Sequence, residues 1–452
     1  MQKNDKIDIF ENKPIASALA IMAVPTVISQ LITLVYNVAD VWFIGQTDNP
    51  YMVAAASLVA TVFLMLTAIA NLFGAGGGNL VVRLLGMKDE EEAGKAASFS
   101  LVMAIGSALL FSCICFIFMN PLLRFLGASD ATIGYAKQYL MIVVVIGGLP
   151  TVASQTMSAM LRNIGYSKEA AFGLGLGGIL NAVLDPIFMF CLLPDGYEVV
   201  GAATATLISN IIAFAYYIFM YLRVQKHTII HIPKKIERIR SNSVRSIFSV
   251  GLPAALSLLL YDLCNMVINM LSASHGDLEL AAMGIVLKVE RLPLNIGVGI
   301  CLGMMPLIGY NYASKNFKRM IDFFKTSRLA GLGIALVCVV LYRIGAPHII
   351  QAFISDAETV RLGTEFLRVR CFATPVMFLS FHMVHMMQAV NRGKISFYLA
   401  VIRQLFLNIP LLFILNRMFG MTGIIWTQVI ADCINVLISY VIYGHVVKEL
   451  RS

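Results

Sequence analysis

Twelve runs of this chain are apolar over a length that crosses a bilayer. A hydrocarbon core about 30 Å thick needs roughly 20 helical residues. Runs of that order fall at 15–44, 53–82, 96–119, 134–160, 169–192, 199–222, 246–272, 280–310, 325–346, 361–388, 396–416 and 421–446. Lipid offers no partner to exposed backbone, so runs of this kind fold as helices. The expected fold class is an all-α membrane protein with twelve transmembrane helices. Composition agrees: 13% of residues are charged, against about 25% in soluble domains. Mean hydropathy is +0.81. Several soluble domains, which 452 residues would otherwise allow, are therefore set aside.

The formal charge of +9 suggests nucleic acid until its distribution is read. Nearly all loop Lys and Arg fall in alternate loops: the N-terminus, 83–95, 162–168, 223–245, 313–328, 391–395 and the C-terminus. The intervening loops hold Arg124, Arg343 and Arg417. That asymmetry is the positive-inside rule. It predicts a multi-pass protein of the cell membrane with both termini cytoplasmic, partnered by the lipid bilayer and by no nucleic acid. The basic stretch 222–240 is the long cytoplasmic linker, read as solvated. The eight Cys lie in apolar stretches with no spacing for zinc, haem or a disulfide framework. The first thirteen residues are polar and of mixed charge, unlike a cleavable signal peptide.

A shift of 225–228 residues superposes the two halves. Pro25 meets Pro253, Asn37 meets Asn265, and the Ala-Ala-Ala-Ser of 54–57 meets the Ala-Ala-Met-Gly of 281–284. Lys88 meets Lys315, Pro121 meets Pro347, and Ser-Asp-Ala at 129–131 meets Ser-Asp-Ala at 355–357. Asn163-Ile-Gly meets Asn391-Arg-Gly, and Asn181 meets Asn408. The expected organisation is an N-terminal six-helix lobe (1–222), a linker (223–245) and a C-terminal six-helix lobe (246–452). Six spans is an even number, so both halves enter the membrane in the same sense. Two bundles related by a pseudo-two-fold along the membrane normal are expected, with a cleft between them and rocking as the route to alternating access.

Two carboxylates stand inside these apolar runs. An ionised Asp at the centre of a membrane helix costs about 2.5–3.5 kcal/mol on insertion scales and marks function by default. Tyr36 and Asp40 are four apart in span 1, Asn181 and Asp185 four apart in span 5, and Thr206 and Asn210 four apart in span 6. Each pair shares a helix face. From the topology, all three faces lie in the outer half of the membrane. Pro186 withholds a donor from the Ala182 carbonyl, adding an oxygen to a cluster of carboxylate, amide and hydroxyl groups. Hard cations want such ligands. A buried carboxyl also carries a proton. Na⁺ and H⁺ both suit Asp40, Asn181, Asp185 and Thr206; the alternative is a hydrogen-bond network that glues helices.

The repeat places Ile268 opposite Asp40 and Leu412 opposite Asp185, so this cluster belongs to the first half only. The second half has its own charges: Asp262, Lys288, Glu290, Arg291 and Asp432. Asp262 and Glu290 either face the cleft and attract cations or neutralise Lys288 and Arg291. His382, His385 and Arg403 are expected near the inner ends of spans 10 and 11, as interfacial or gate residues. Asn37, Asn210, Met157, Asp262 and Glu290 are the candidate substrate cleft. The mid-helix Met, including Met157, suit either a promiscuous pocket or ordinary helix packing.

Tyr36-Asn-Val-Ala-Asp40-x-Trp-Phe-Ile-Gly45, Asn181-x-x-x-Asp185-Pro186 and Gly201-Ala-Ala-x-Ala-Thr206 resemble the multidrug and toxic compound extrusion (MATE) transporters. The resemblance covers nearly the whole chain. Gly251-x-Pro253, Ala281-Ala-Met-Gly-Ile-Val-Leu-Lys-Val-Glu290 and Met305-Pro-Leu-Ile-Gly-Tyr-Asn-Tyr-Ala313 look like the MepA-like bacterial branch. The family implies a transporter rather than an enzyme, exporting cationic amphipathic drugs and toxins in exchange for Na⁺ or H⁺, with no other cofactor. By resemblance Asp40, Asn181, Asp185 and Thr206 form the first-half site, with Tyr36 close by, and a monomer is expected. Some members carry a Glu ten residues after the Gly of Gly-x-Pro; here Tyr261 stands there and Asp262 follows. A lipid-linked oligosaccharide flippase is the alternative, against which the sparse mid-membrane Arg and Lys argue. No Asp-rich prenyltransferase motif and no nucleotide-binding Gly-x-x-x-x-Gly-Lys-[Ser/Thr] is present.

The charge asymmetry generates the first test. Single Cys placed along 223–245 should react with impermeant thiol reagents only from the cytoplasmic side. Labelling from outside intact cells would overturn the arrangement of spans.

Overall fold

In a computed structural model the chain is described over residues 2–47, 49–194, 196–232 and 238–451. It is helical, with no strand among the described residues. In chain order the helices are α1 (Gln2–Glu11), α2 (Ile15–Gly45), α3 (Pro50–Gly86), α4 (Glu90–Ile117), α5 (Met119–Phe125), α6 (Ile133–Leu140), α7 (Gly148–Asn163), α8 (Ser167–Pro186) and α9 (Glu198–Val224). Then come α10 (Ser241–Ala273), α11 (Asp277–Ala313), α12 (Phe317–Gln351), α13 (Ala357–Arg370), α14 (Ala373–Ala389), α15 (Gly393–Val401), α16 (Ile409–Phe419) and α17 (Met421–Arg451). Three wider π-helical segments interrupt the series: π1 (Met141–Ile146), π2 (Ile187–Leu192) and π3 (Ile402–Asn408).

Ten described helices, some including a π segment, are long and apolar enough to cross a membrane. An eleventh span is a pair, Ile133–Ile146 and Gly148–Asn163, bent by 46°. The run expected at 361–388 is broken at Cys371 and Phe372 into α13 and α14. The two pieces differ in composition: α13 carries Glu358, Arg361, Glu365, Arg368 and Arg370, whereas α14 carries no Asp, Glu, Lys or Arg.

The repeat is visible in backbone geometry. α3 and α11 each end on a Lys in the left-handed region, Lys88 (φ 62°) and Lys315 (φ 61°). The following residue caps the next helix: Asp89 accepts from the Glu92 N–H, and Asn316 from the Arg319 N–H. These turns are 227 residues apart (315 − 88). At the other paired turn the left-handed residues are Gly165 (φ 91°) and Asn391 (φ 59°). The counterpart of Asn391 is therefore Gly165, and the expected pairing of Asn163 with Asn391 is two residues out of register. Glycine and asparagine share that position because both tolerate left-handed backbone.

Two compact units divide the chain, with borders inside helices. The first holds 1–13 and 28–255; the second holds 14–27 and 256–452. Each unit thus contains the N-terminal part of the other half's first membrane helix. Close helix approach explains the exchange. In the first unit α10 lies on α3: a Cβ at Gly251 would collide with the Leu72 carbonyl, and one at Gly76 with the Ile247 carbonyl. In the second unit α2 lies on α11: a Cβ at Gly299 would come 2.7 Å from Val27 Cα, and one at Gly303 2.7 Å from the Ala23 nitrogen. Membrane helices lack a hydrophobic drive to associate, so small residues that allow backbone contact decide where they meet.

The first unit's core runs through Val59, Leu66, Phe73, Leu140, Val144, Val152, Met160, Tyr217 and Tyr221, from α3 to α9. The second unit's core includes Ile268, Met283, Val286, Ala346, Phe366, Leu367 and Leu412. The far end of the linker is held rather than loosely solvated. Glu92 on α4 accepts from the Arg240 N–H (2.9 Å) and the Ser243 hydroxyl (2.6 Å), and Asp89 accepts from the Arg240 guanidinium (2.7 Å). Residues 233–237 of the linker lie outside the described residues. The Glu92 N–H and Arg240 hold the Asp89 carboxyl below its usual range. Its contribution is therefore present above the ordinary carboxylate pKa and is lost only as pH falls through the lowered one.

The close approaches predict a contrast among glycines. Gly251→Ala and Gly303→Ala should each cost about 1–3 kcal/mol or prevent folding, because the obstructing atoms are backbone. Gly106→Ala and Gly333→Ala, whose Cβ atoms would meet nothing within 4 Å, should be neutral or slightly stabilising. Thermal unfolding in detergent reads the difference.

Candidate functional site

Two glycines of α8 set the register of the first-half cluster. A Cβ at Gly175 would lie 3.0 Å from the Ile32 side chain, and one at Gly178 2.7 Å from the Tyr36 ring. Rising numbers on α8 therefore meet rising numbers on α2. Continuing one turn brings Asp40 level with Asn181–Asp185. At that level Asn181 donates through Nδ2 to Asp185 Oδ1 (3.1 Å) and to Thr206 Oγ1 on α9 (3.2 Å). Asp185 and Asn181 are buried, at 0% and 4% exposure.

The carboxylates are incompletely partnered. Asp40 Oδ1 and Asp185 Oδ2 are both buried without a hydrogen-bond partner among the described residues. The two side chains lie within electrostatic range of each other, and both act on the buried Tyr139 of α6. An unsatisfied buried acceptor is costly and calls for a missing ligand. Two neighbouring unpartnered acceptors, an amide and a hydroxyl suit a bare monovalent cation or a proton. Among the described residues no group of three His, Cys, Asp or Glu is arranged for a metal ion. Beyond Pro186 the backbone continues as π2, because proline has no N–H for the carbonyl four residues back.

The other candidates separate. Asn210, one turn beyond Thr206, donates to Thr151 Oγ1 of α7 (3.0 Å). Asn37 is exposed on α2. Met157 is only 2% exposed, inside the first unit's core, so its role is packing and it lines no open face. Glu290 is not neutralised by Lys288 or Arg291: Arg370 holds both its oxygens at 2.8 Å in a buried pair. Asp262 makes a 3.5 Å contact to Arg291, with side chains 35% and 48% exposed, and also interacts with the Asn265 side chain. His382 and Arg403, expected at an interface, are buried at 0% and 3%. His382 bonds Ser327 (2.8 Å) and stacks on Phe324, while Arg403 pairs with Asp432. His385 bonds the Phe381 carbonyl at 2.7 Å.

Tyr139, Thr151 and Arg370 went unnoticed in the sequence. Tyr139 and Thr151 lie in a run that also holds Lys137, Gln138, Gln155 and Thr156, so nothing in the sequence singles them out. Arg370 carried a signal, a charge inside a run long enough to span.

The MatE family model matches residues 25–187 and again 253–414. The chain belongs to the MatE family. The double match, opening at Pro25 and Pro253, is the internal repeat. Among MatE relatives, "Multidrug export protein MepA" of Staphylococcus haemolyticus (strain JCSC1435) is 31% identical over 98% of this chain and 96% of its own length. The protein of the same name from Staphylococcus aureus (strain MRSA252) is 29% identical over 97% and 96%. Two solved MatE structures share the fold. One, described as the outward-facing conformation of a multidrug resistance MATE family transporter of the MOP superfamily, has a TM-score of 0.90 at 23% identity, covering 98% of both chains. A MATE in the straight conformation has a TM-score of 0.92 at 22% identity, also covering 98% of both.

The Glu290–Arg370 pair generates a stability test. Arg370→Met or Glu290→Gln alone leaves a buried charge unpaired and should cost about 3–5 kcal/mol, with the double Met variant recovering much of it. Asp262→Asn should change stability by less than about 1 kcal/mol, since its pair is half-exposed. Unfolding temperatures of the four purified variants decide this.

Proposed function

We propose that this chain is a secondary active exporter of multiple drugs, driven by a cation that enters the Asp40–Asp185 site. The observation that carries this reading is the pair of buried, orphaned oxygens, one on the half-buried Asp40 and one on the buried Asp185, in a MatE chain. Inward movement of the ion satisfies those oxygens; its release leaves them unpaired. A ligand shifts a two-state equilibrium only by its differential affinity for the two states, and unpaired carboxylates supply such a difference. Na⁺ and H⁺ both serve, and export proceeds by alternating access with both termini cytoplasmic.

The substrates in this reading are lipophilic cations. Asp262 supports it, being a partly exposed acid within an apolar helix, with a long 3.5 Å ion pair to Arg291. An acidic side chain in a low-dielectric wall attracts cations and rejects anions. Ethidium should therefore leave proteoliposomes faster than an anionic dye of similar size.

The decisive experiment imposes Na⁺ and pH gradients separately on proteoliposomes and follows dye export. Asp40→Asn and Asp185→Asn keep size and hydrogen bonding but lose the charge, so each should abolish gradient-driven export in protein that still folds. Asn181→Ala and Thr206→Ala remove one neutral group each. They should weaken export, with partial rescue by more external Na⁺ if Na⁺ is the ion, or by lower external pH if it is H⁺. Normal export by a folded Asp40→Asn, Asp185→Asn double variant would defeat the assignment.

A further inference from the structure

The second half contains the geometric counterpart of the first-half cluster. Gly201 at the start of α9 packs on the backbone ending span 5: a Cβ there would lie 2.7 Å from the Phe188 carbonyl oxygen. Gly423 at the start of α17 packs in the same way on the Leu415 carbonyl, 227 residues further on (415 − 188). Gln428 and Asp432 thus stand where Thr206 and Asn210 stand, five and nine residues after their glycines. Asn408 stands where Asn181 stands. The bond repeats too: Asn408 Nδ2 donates to Gln428 Oε1 at 3.3 Å, as Asn181 Nδ2 donates to Thr206 Oγ1 at 3.2 Å.

The chemistry placed on this frame differs in two respects. The carboxylate has moved. Leu412 and Ile268, opposite Asp185 and Asp40, are buried core aliphatics, and the acid is instead Asp432 on α17. A cation has also been built in. Arg403, on π3 and opposite Leu176, lays Nε and Nη2 on the two oxygens of Asp432, the Nη2–Oδ2 bond being 3.1 Å. Gln428 Nε2 adds a bond to Oδ2 (2.6 Å) and Ser380 Oγ one to Oδ1 (3.4 Å). Arg403 is 3% exposed and Asp432 0%. In the first half each carboxylate keeps an unpartnered buried oxygen; in the second neither oxygen of Asp432 is free. Tyr261 and Cys264 of α10 are within electrostatic range of Arg403, and Cys433 within that of Asp432.

We propose that Arg403 is a tethered counter-cation that permanently fills the second half's own carboxylate site at Asp432, one turn of α17 beyond Gln428, leaving the chain one exchangeable ion site. The inference rests on reading Asp40 and Asp185 as that exchangeable site. A guanidinium stays protonated at any working pH and matches a carboxylate in a two-bond fork. Covalently attached, it does not leave when the ion gradient reverses. Asp432 is therefore a latent site, opened by removing the charge of Arg403 while keeping its bulk.

The test counts ions on the purified full-length chain: protons released or taken up across pH steps, and radioactive Na⁺ bound. Asp432→Asn should keep the wild-type count, and Asp40→Asn, Asp185→Asn should abolish Na⁺ binding or, if the ion is H⁺, remove the corresponding equivalent from the proton count. Arg403→Met should add one equivalent per chain of whichever ion the wild type takes, and adding Asp432→Asn should remove that gain. A folded Arg403→Met with the wild-type count overturns the proposal. So does an ion event that survives in Asp40→Asn, Asp185→Asn and vanishes when Asp432→Asn is added, a comparison that stands even if Arg403→Met fails to fold. A wild-type count untouched by Asp40→Asn, Asp185→Asn sinks the first-half assignment instead, and the gain in Arg403→Met, which needs only Asp432, still tests Arg403.

Discussion

A hydrocarbon solvent offers no hydrogen bonds, so every polar atom carried into these helices finds a partner within the chain or stays costly. That constraint sorts the buried charges into two kinds. In Glu290–Arg370 and Arg403–Asp432 each acid is engaged through both oxygens, although Arg370 Nη1 is itself buried without a partner among the described residues. Asp40 and Asp185 are open, each with one buried oxygen unpartnered. On the reading proposed above, the two ion pairs hold the structure together, and the open oxygens of Asp40 and Asp185 are what the exchanged cation would bind.

The two halves share turns, caps and helix contacts but differ in where charge is placed. Lys88 and Lys315 end corresponding helices with the same left-handed backbone, and Asp89 and Asn316 cap the helices that follow. Asn181 and Asn408 bridge the same two helices of their repeats. Against that common frame, the change of Asp185 to Leu412 and the gain of Arg403 are substitutions in a duplicated scaffold. Duplication supplies the geometry twice, and side-chain chemistry makes the two copies electrostatically different.

Much of this was legible from the chain because membrane helices announce themselves by length and apolarity. The first-half cluster was legible for a related reason: Tyr36–Asp40, Asn181–Asp185 and Thr206–Asn210 are polar pairs at helical spacing in apolar runs, and the positive-inside rule sets their depth. The misreadings share one cause. Sequence gives distance along a helix, not the partner across it. Arg403 sits early in its span and reads as interfacial until Asp432, from another helix, is seen to hold it inside. Glu290 reads as the partner of Arg291, its neighbour in sequence, whereas Arg370 arrives from α13. Asn163 and Asn391 share a letter, but φ pairs Asn391 with Gly165.

The π segments follow from the same constraint applied to the backbone. Each lies close to a proline: Pro150 four residues after π1, Pro186 immediately before π2, and Pro410 two residues after π3. Proline withholds one N–H from a helix ladder, and in lipid the freed carbonyl has no water to turn to. Widening the turn lets a later N–H reach back; at the end of π1 the Gly147 N–H bonds the Ile142 carbonyl, five residues earlier, at 3.0 Å. The wider turn also rotates the side chains that follow it relative to those before. Tyr139 precedes π1, Asp185 precedes Pro186 and π2, and Arg403, Gln404 and Asn408 lie on π3. The polar residues thus stand where the helix is already irregular, which fits the frequent occurrence of π-bulges at functional sites. A proline-relieved helix can also change its turn count locally without breaking its neighbours' packing. On that argument the backbone beside Asp185 is the part of its helix best able to change its turn locally without disturbing the packing of its neighbours.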